Sequence, residues 1–255
     1  MERISLVIVA QNEERTIGDV LAAARTLVSE IVLVDSGSTD RTMEIAREHG
    51  ASVVHQDWLG YAAQKNYAVS LAANDWVLSL DADEVLTPEL VAEIKGLAES
   101  GRLDECDGYE IPRQLVIGET AIAHGGFYPD AQLRLFKKAK GKFNDRLVHE
   151  RVFVDGRVGR LKSRMMHFAY KDVQAFSAAM DRYARLSASH FQAKTNGCWR
   201  ASALNELVHP LWTFFYRFIV RGGFLDGRLG LQLNLIYSDY VRKKIRYLRE
   251  AVRGN

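Results

Sequence analysis

The first hundred residues alternate between short apolar, β-rich runs and helix-like segments, and this alternation constrains the fold more than any other feature. The apolar runs are 4–10, 30–36, 51–56 and 75–81. The helical patterns cover 16–28, 41–49, 61–73 and 88–99. Strands separated by helices in this way form βαβ units, which build a mostly parallel sheet with helices on both faces. The sequence therefore predicts an α/β protein.

After about residue 105 the pattern changes to short strand-like runs separated by turns, which predicts a small antiparallel extension. A long amphipathic helix is expected at 172–194, and a basic helix should end near Arg253. The residues between these helices are aromatic and cationic. We therefore divide the chain into three parts: 1–104, 105–170 and 171–255.

Composition excludes several classes of protein. At 255 residues and 47% hydrophobic, the chain can bury a large core. Its two cysteines, Cys106 and Cys198, form neither a disulfide framework nor a CxxC pair, and the first residues lack the features of a signal peptide. These features favour a cytoplasmic protein. The basic charge is concentrated in an aromatic tail and the body is net acidic, which argues against a nucleic-acid partner.

Polar clusters follow three of the four predicted strands: QNEE the first, DSGSTD the second and DADE the fourth. Ligands of open α/β sheets lie beyond the carboxyl ends of the strands. On an extended strand Asp81 and Asp83 would project from one face, where two carboxylates repel each other unless a cation lies between them. Mg²⁺ takes one or two carboxylates together with phosphate oxygens and water. The alternative is a solvated turn before a helix capped by Thr87.

The runs VIVAQNEE, VLVDSGSTD, GYAAQKNYAV and VLSLDADE, in this order within residues 4–90, resemble the family 2 inverting glycosyltransferases, which have the GT-A fold. Further along, YPDAQLRLFKK, VHERV and MMHFAY resemble the lipopolysaccharide-core glucosyltransferases of the WaaE/LgtF type. The resemblance implies that 1–104 is a nucleotide-sugar-binding half and 105–170 the acceptor-side half of one GT-A domain. Residues 171–255 would be a helical extension.

The resemblance also implies a set of donor-binding residues around a UDP-sugar: Asn12, Glu13, Asp35, Ser38, Asp40, Lys65, Asp81 and Asp83. Asp35 would accept a hydrogen bond from the uracil ring, and Lys65 would offset the diphosphate charge. Asp83, with Asp81 beside it, would bind Mg²⁺ or Mn²⁺. Local alternatives are that Asp40 is the N-cap of helix 41–49 and that Lys65 is an exposed charge on an amphipathic helix.

Inverting transfer also requires a base that takes the proton from the acceptor hydroxyl. Two candidates stand out, Asp130 in YPDAQLRLF and Glu150 in VHERV, with Asp130 preferred. Glu150 could instead form an ion pair at a strand edge. His167 could reach the metal, although a lone histidine in an apolar stretch is more often a core residue.

The function implied is transfer of a hexose, specifically glucose, from a UDP-sugar to the inner core of lipopolysaccharide. Another lipid-linked or cell-surface polysaccharide acceptor is the alternative. Two hypotheses belong to different classes: a haloacid-dehalogenase-like phosphohydrolase and a non-catalytic nucleotide-sugar-binding protein. The phosphohydrolase motif calls for a threonine where this chain has Val85.

The segment 211–220 is apolar, but Arg217 and Arg221 interrupt the roughly 20 residues that a bilayer-spanning helix needs. Its aromatic and cationic composition suits the interfacial zone of an anionic membrane, which predicts a peripheral position at the inner face of the plasma membrane. Five basic residues would assist: Arg242, Lys243, Lys244, Arg246 and Arg249. The alternative is a buried helix that packs on the protein or on a second subunit.

Overall fold

The computed structural model describes residues 4–144, 151–194 and 202–253, and its first half has the predicted alternation of strands and helices. Four strands are parallel and lie in the order β3-β2-β1-β4: β1 (Ile4–Ala10), β2 (Glu30–Asp35), β3 (Ser52–His55) and β4 (Trp76–Asp81). The helices between them are α1 (Ile17–Ala24), α2 (Thr42–Glu48) and α3 (Tyr61–Leu71). The predicted α/β class is confirmed.

The chain then continues the same sheet with strands that pair mostly antiparallel, whereas β11 pairs parallel with β6. β5 (Glu84–Leu86) is followed by α4 (Pro88–Glu99), which Thr87 caps by accepting a hydrogen bond from the Leu90 N–H at 3.3 Å. The later strands are β6 (Gly108–Ile117), β7 (Thr120–Ala121), β8 (Asp130–Lys137), β9 (Gly141–Phe143), β10 (Val152–Val154), β11 (Val158–Arg160) and β12 (Met165–Tyr170). The order runs on as β4-β8-β6-β12-β5, and β9 and β10 form a small antiparallel sheet of their own.

The structure divides into two compact units. The first holds the described residues up to Gln114 together with Asp130–Phe168. Its core lies on both faces of the parallel strands, because successive side chains of a strand point to opposite faces. One buried cluster includes Leu6, Ile8, Leu33 and Leu78. The other includes Val7, Val32, Val34 and Val77.

The second unit holds Leu115–Pro129 and the described residues from Ala169 onward. Its helices are α5 (Val173–Lys194), α6 (Ala203–Phe215) and α7 (Gly227–Arg253), with a π-helical turn at Tyr216–Val220 and a 3-10 turn at Gly223–Asp226. Its small core contains Ile117, Ile122, Phe176 and Leu233. The predicted helices at 172–194 and ending near Arg253 are confirmed. No helix within the described residues combines the length and the apolar character needed to cross a bilayer.

The strand order determines where the polar loops meet. β2 and β3 lie on one side of β1 and β4 lies on the other, so the direction of winding reverses between β1 and β4. A crevice forms at such a switch point, beyond the carboxyl ends of the strands. Ala10, Asp35 and Asp81 are the last residues of β1, β2 and β4, which brings the three predicted polar loops to one edge of the first unit.

Candidate active site

The loops after β1 and β2 are joined by hydrogen bonds between their predicted site residues. Asn12, whose φ of 58° lies in the left-handed region that asparagine tolerates, accepts a hydrogen bond from the Thr39 N–H at 2.8 Å. The Asn12 N–H donates to the Ser38 hydroxyl at 2.9 Å. The structure therefore brings Asn12 and Ser38 together, and each supports the other loop.

Asp40 lies two residues before α2, whose N-cap position is Arg41, so the local alternative of Asp40 as the N-cap is wrong by one residue. Its carboxylate accepts hydrogen bonds from the Thr42 N–H at 3.0 Å and from the Glu14 N–H at 3.2 Å. Slight burial would raise the pKa of Asp40, but these hydrogen bonds and that from the Thr42 hydroxyl outweigh it and lower the pKa. Asp40 therefore fixes the loop in which Ser38 lies.

Asp35 is fully buried at the end of β2 and is only half satisfied. Its Oδ2 accepts the N–H groups of Gly37 at 2.9 Å and Ser38 at 3.0 Å. Its Oδ1 is buried without a hydrogen-bond partner. A buried acceptor in this state is costly, so a ligand N–H that reached Oδ1 would gain a hydrogen bond that the protein leaves unmade.

Asp81 is held between two cations. Its Oδ1 lies 2.7 Å from Lys65 Nζ on α3, and its Oδ2 lies 2.6 Å from Arg134 Nη2 on β8. Burial alone would raise the pKa of Asp81, but the attraction of Arg134 and then of Lys65 lowers it well below its usual range. Lys65 is therefore one side of an ion pair, and the alternative of a solvated surface charge is wrong.

The ion pairs continue from Arg134 into the antiparallel strands. Arg134 Nη2 also donates to Oε1 of Glu84 at 2.7 Å, and Arg113 Nη1 donates to the same oxygen at 2.9 Å. Arg113 Nη2 then lies 2.5 Å from Oδ2 of Asp130. The Glu84 side chain is fully buried, whereas that of Asp130 is about half exposed. The result is an ionic chain of six alternating charges: Lys65, Asp81, Arg134, Glu84, Arg113 and Asp130.

Asp83 stands outside this ionic chain. β4 ends at Asp81 and the backbone turns at Ala82 and Asp83, so the two carboxylates do not lie on one extended strand as expected. Asp83 Oδ2 lies 3.4 Å from His167 Nε2 on β12, which pairs antiparallel with β5. No lysine or arginine in the described part of the chain pairs with Asp83. Among the described residues, Asp83 therefore differs from Asp81, which has two cationic partners.

These residues fit a divalent cation in part. Asp83 offers a carboxylate oxygen and His167 an imidazole nitrogen, while Asp81 already contacts Lys65 and Arg134. Across the described ranges no group of three or more His, Cys, Asp or Glu side chains is close enough to hold a metal. Two protein ligands suit Mg²⁺ or Mn²⁺ when phosphate oxygens and water complete the coordination.

Glu13 also lies in this negative field. Burial and then repulsion from Asp83 raise the pKa of Glu13, with smaller contributions from Asp40 and Asp81, whereas a hydrogen bond from Thr16 opposes the rise. The loops after β1, β2 and β4 therefore share one electrostatic environment, as the strand order requires. A bound cation would relieve this repulsion.

Of the two candidate bases, Asp130 starts β8 and is positioned by Arg113 and by the Gln132 side chain, which donates to Oδ1 at 2.8 Å. Glu150 lies outside the described residues. Sequence reasoning missed Glu84 and Arg113 as site residues. The signal was present, because three carboxylates within 81–84 require several cations, and Arg113 and Arg134 are in neighbouring predicted strands.

Comparison with known proteins agrees with this geometry. Residues 5–115 match the family model "Glycosyl transferase family 2". An uncharacterized glycosyltransferase of Rickettsia felis is 29% identical over 99% of this chain and 91% of its own length. The lipopolysaccharide core biosynthesis glycosyltransferase LpsC of Rhizobium meliloti is 28% identical over 98% of this chain and 94% of its own.

A partial match was found among solved structures. Glucosyl-3-phosphoglycerate synthase from Mycobacterium tuberculosis, in complex with Mn²⁺ and uridine-diphosphate-glucose, is 27% identical with a TM-score of 0.38. The match spans 44% of this chain and 44% of that protein.

The fold, the site and the full-length relatives define an enzyme that transfers a sugar. Residues 5–115 are similar to the family 2 glycosyltransferases, relatives similar over almost the whole chain are glycosyltransferases, and the sheet is of the predicted GT-A type. The prediction of an enzyme of this class is confirmed, and the phosphohydrolase and non-catalytic hypotheses are set aside.

The ionic chain predicts unequal costs for two isosteric substitutions next to Arg113. Glu84→Gln removes the buried charge that Arg113 and Arg134 share, so that each guanidinium keeps only its second carboxylate, and should lower the free energy of unfolding by about 3–5 kcal/mol. Asp130→Asn removes a half-exposed partner and should cost less than about 1 kcal/mol. Urea denaturation of both variants measures the difference. Equal losses would contradict the ionic chain as described.

The shared field predicts that Asp83→Asn lowers the pKa of Glu13 toward its ordinary value, because the repulsion from Asp83 is removed. The titration of the Glu13 side-chain carboxyl carbon by NMR measures this shift. Asp155→Asn, at an exposed aspartate in another turn, is the control and should leave the titration unchanged. An unchanged Glu13 pKa in Asp83→Asn would mean that the two loops do not interact.

Proposed function

We propose that this enzyme is an inverting, metal-dependent glycosyltransferase that moves glucose from UDP-glucose to a glycan of the lipopolysaccharide inner core. One observation carries the proposal: Asp81 is neutralised by Lys65 and Arg134, whereas Asp83, two residues on, has no lysine or arginine partner among the described residues. A site with one neutralised and one unneutralised carboxylate suits a ligand that arrives with its own cation.

The donor's nucleotide would lie against the loops after β1 and β2. Asp35 Oδ1, buried and without a partner, would accept the N–H of the uracil ring. Asn12, Glu13, Ser38 and Asp40 would shape this pocket, since their hydrogen bonds already fix the two loops. This contact with Asp35 would favour uracil, which donates an N–H there, over a base that presents a hydrogen-bond acceptor at the same position.

The diphosphate would lie near the end of β4. Lys65 can contribute positive charge there, although its pairing with Asp81 leaves only part of that charge for the donor. Asp83 would hold Mg²⁺ or Mn²⁺ with the help of His167, and Asp81 would contact the ribose or the diphosphate. When bound, such an ion stabilises the negative charge that develops on the departing diphosphate.

The transfer itself needs one proton acceptor. The acceptor hydroxyl oxygen forms the new bond to the anomeric carbon while the bond from that carbon to the diphosphate oxygen breaks. Asp130 would take the hydroxyl proton, because Arg113 and Gln132 hold its carboxylate in place and its side chain is about half exposed. Attack opposite the leaving group inverts the configuration. Glu150 is the other candidate for this role.

The acceptor is proposed from the relatives and from the sequence resemblance. The Rhizobium relative is named for lipopolysaccharide core biosynthesis and matches nearly the whole chain. A glycan of that kind is attached to lipid. The enzyme would therefore meet its acceptor at the cytoplasmic face of the plasma membrane, as a peripheral protein.

Asp83→Ala should reduce transfer on the order of 10³-fold, because the charge on the leaving diphosphate is no longer offset. Release of UDP from UDP-glucose with Mn²⁺ and a truncated core oligosaccharide measures the rate, and a panel of other nucleotide sugars tests the donor. Mn²⁺ binding, followed by electron paramagnetic resonance, should be lost in parallel. Asp155→Ala is the matched control. Turnover at the wild-type rate in Asp83→Ala would refute the metal-dependent mechanism.

Asp130→Asn and Glu150→Gln should separate the two candidate bases. Loss of the base lowers the rate of transfer by about 10²–10⁴-fold, while UDP binding is retained. We expect this loss in Asp130→Asn and a nearly normal rate in Glu150→Gln. Single-turnover rates, with UDP affinity measured by calorimetry, distinguish the two. The reverse result would assign the base to Glu150.

A further inference from the structure

The helix α6 exposes its apolar side chains. Large apolar side chains are exposed at Leu204, Leu207, Leu211, Trp212 and Phe215 of α6, and at Ile219 in the π-helical turn that follows. Leu211 is 65% exposed and Trp212 is 61% exposed, values unusual for large apolar residues on a folded helix. We call these six residues the α6 face. Contiguous exposed apolar surface of this kind marks an interaction site.

The opposite side of α6 shows that this exposure is built into the unit. Glu206 turns inward and pairs with Arg246 at 3.0 Å and Arg249 at 2.8 Å, both on α7. Pro210 is buried, and its carbonyl accepts a hydrogen bond from the Ser238 hydroxyl at 2.7 Å. The helix is therefore fixed to α7 through polar contacts and Pro210, with its apolar side outward. This is the reverse of an ordinary amphipathic surface helix.

The segment that carries most of the α6 face has no acidic residue. Residues 207–225 contain no aspartate or glutamate. Arg217 in this segment is stacked between the rings of Phe127 at 4.3 Å and Tyr237 at 3.9 Å. Arg221 is exposed, and within the described residues it forms no ion pair. The apolar surface is therefore bordered by a cation that remains open to an external anion.

Four of the basic residues of α7 are less available. Arg242 pairs with Asp239, Lys243 with Asp181 and Asp239, and Arg246 and Arg249 share Glu206. Exposed Arg221 is thus better placed than these to meet an anionic surface.

We propose that the α6 face inserts into the interfacial zone of an anionic lipid bilayer, with Arg221 contacting lipid phosphate. Apolar and aromatic side chains bordered by arginine, without carboxylates, are the composition that binds at that depth. A second copy of this chain fits less well, because the same face would offer Arg221 no negative partner. The role of this membrane binding rests on the proposed function, because a lipid-linked acceptor requires an enzyme at the membrane.

Flotation of the full chain with vesicles tests the proposal. Wild type should bind vesicles of phosphatidylglycerol and phosphatidylethanolamine, and bind phosphatidylcholine vesicles weakly. Leu211→Ser with Trp212→Ser should weaken binding by at least about tenfold, because two inserted side chains are lost. Arg221→Glu should weaken it about fivefold or more, with less dependence on salt. The controls are Phe153→Ser and Arg157→Glu, at exposed positions of the first unit.

A second measurement does not depend on the folding of the double variant. Brominated phospholipid should quench part of the tryptophan fluorescence of wild type, and Trp212→Phe should abolish that part. Vesicle binding equal to wild type in the double variant, or no binding of wild type to anionic vesicles, overturns the proposal. A dimer in solution that the double variant dissociates also overturns it, since a second copy would then cover the face.

The vesicle assay is independent of the proposed chemistry. UDP release with a water-soluble acceptor should be unchanged in the α6 variants, because none of these residues belongs to the donor site. Loss of vesicle binding with retained turnover would support the docking surface. Vesicle binding by an enzyme that turns over no UDP-sugar would refute the proposed function and leave the docking surface in place.

Discussion

The ionic chain from Lys65 to Asp130 is the interaction on which the rest of the site depends. It joins α3, β4, β5, β6 and β8, and therefore links the parallel half of the sheet to its antiparallel extension. Burying a charge costs several kcal/mol unless its partner is in place, and Glu84 is fully buried. The charges are compensated only when the helix and strands that carry them are correctly aligned. The contacts that join the parallel and antiparallel parts of the sheet therefore also set the position of the candidate base, Asp130.

The ionic chain also separates the roles of two neighbouring aspartates. Asp81 is committed to Lys65 and Arg134, which keep its pKa low. Asp83 follows the turn, contacts His167 and adds to the repulsion that raises the pKa of Glu13. A DxD pair is thus two different carboxylates here, one neutralised by the protein and one whose charge acts on the crevice. Among the described residues, only the first of the two therefore has lysine and arginine partners.

The sequence was sufficient to predict the features that depend on local residue patterns. The four parallel strands follow from apolar runs, and the cap at Thr87 follows from residue type next to a helix start. The pairing of residues across the sheet could not be predicted from local pattern. Glu84 accepts hydrogen bonds from Arg113 and Arg134, which lie 29 and 50 residues further along the chain. The turn at Asp83 was also missed, because a strand pattern does not reveal the residue at which the chain turns.

The α6 helix shows a different limit. Apolar residues at spacings of three and four predict an amphipathic helix whether the apolar side faces a core or the outside. What decides the orientation is Glu206, whose partners Arg246 and Arg249 lie 40 or more residues further along, on α7. Once that carboxylate is bound inward, the leucines of the other side have to face out. The polar contacts of this helix thus fix the position of its apolar surface, and a bilayer would complete the burial that the unit itself leaves undone.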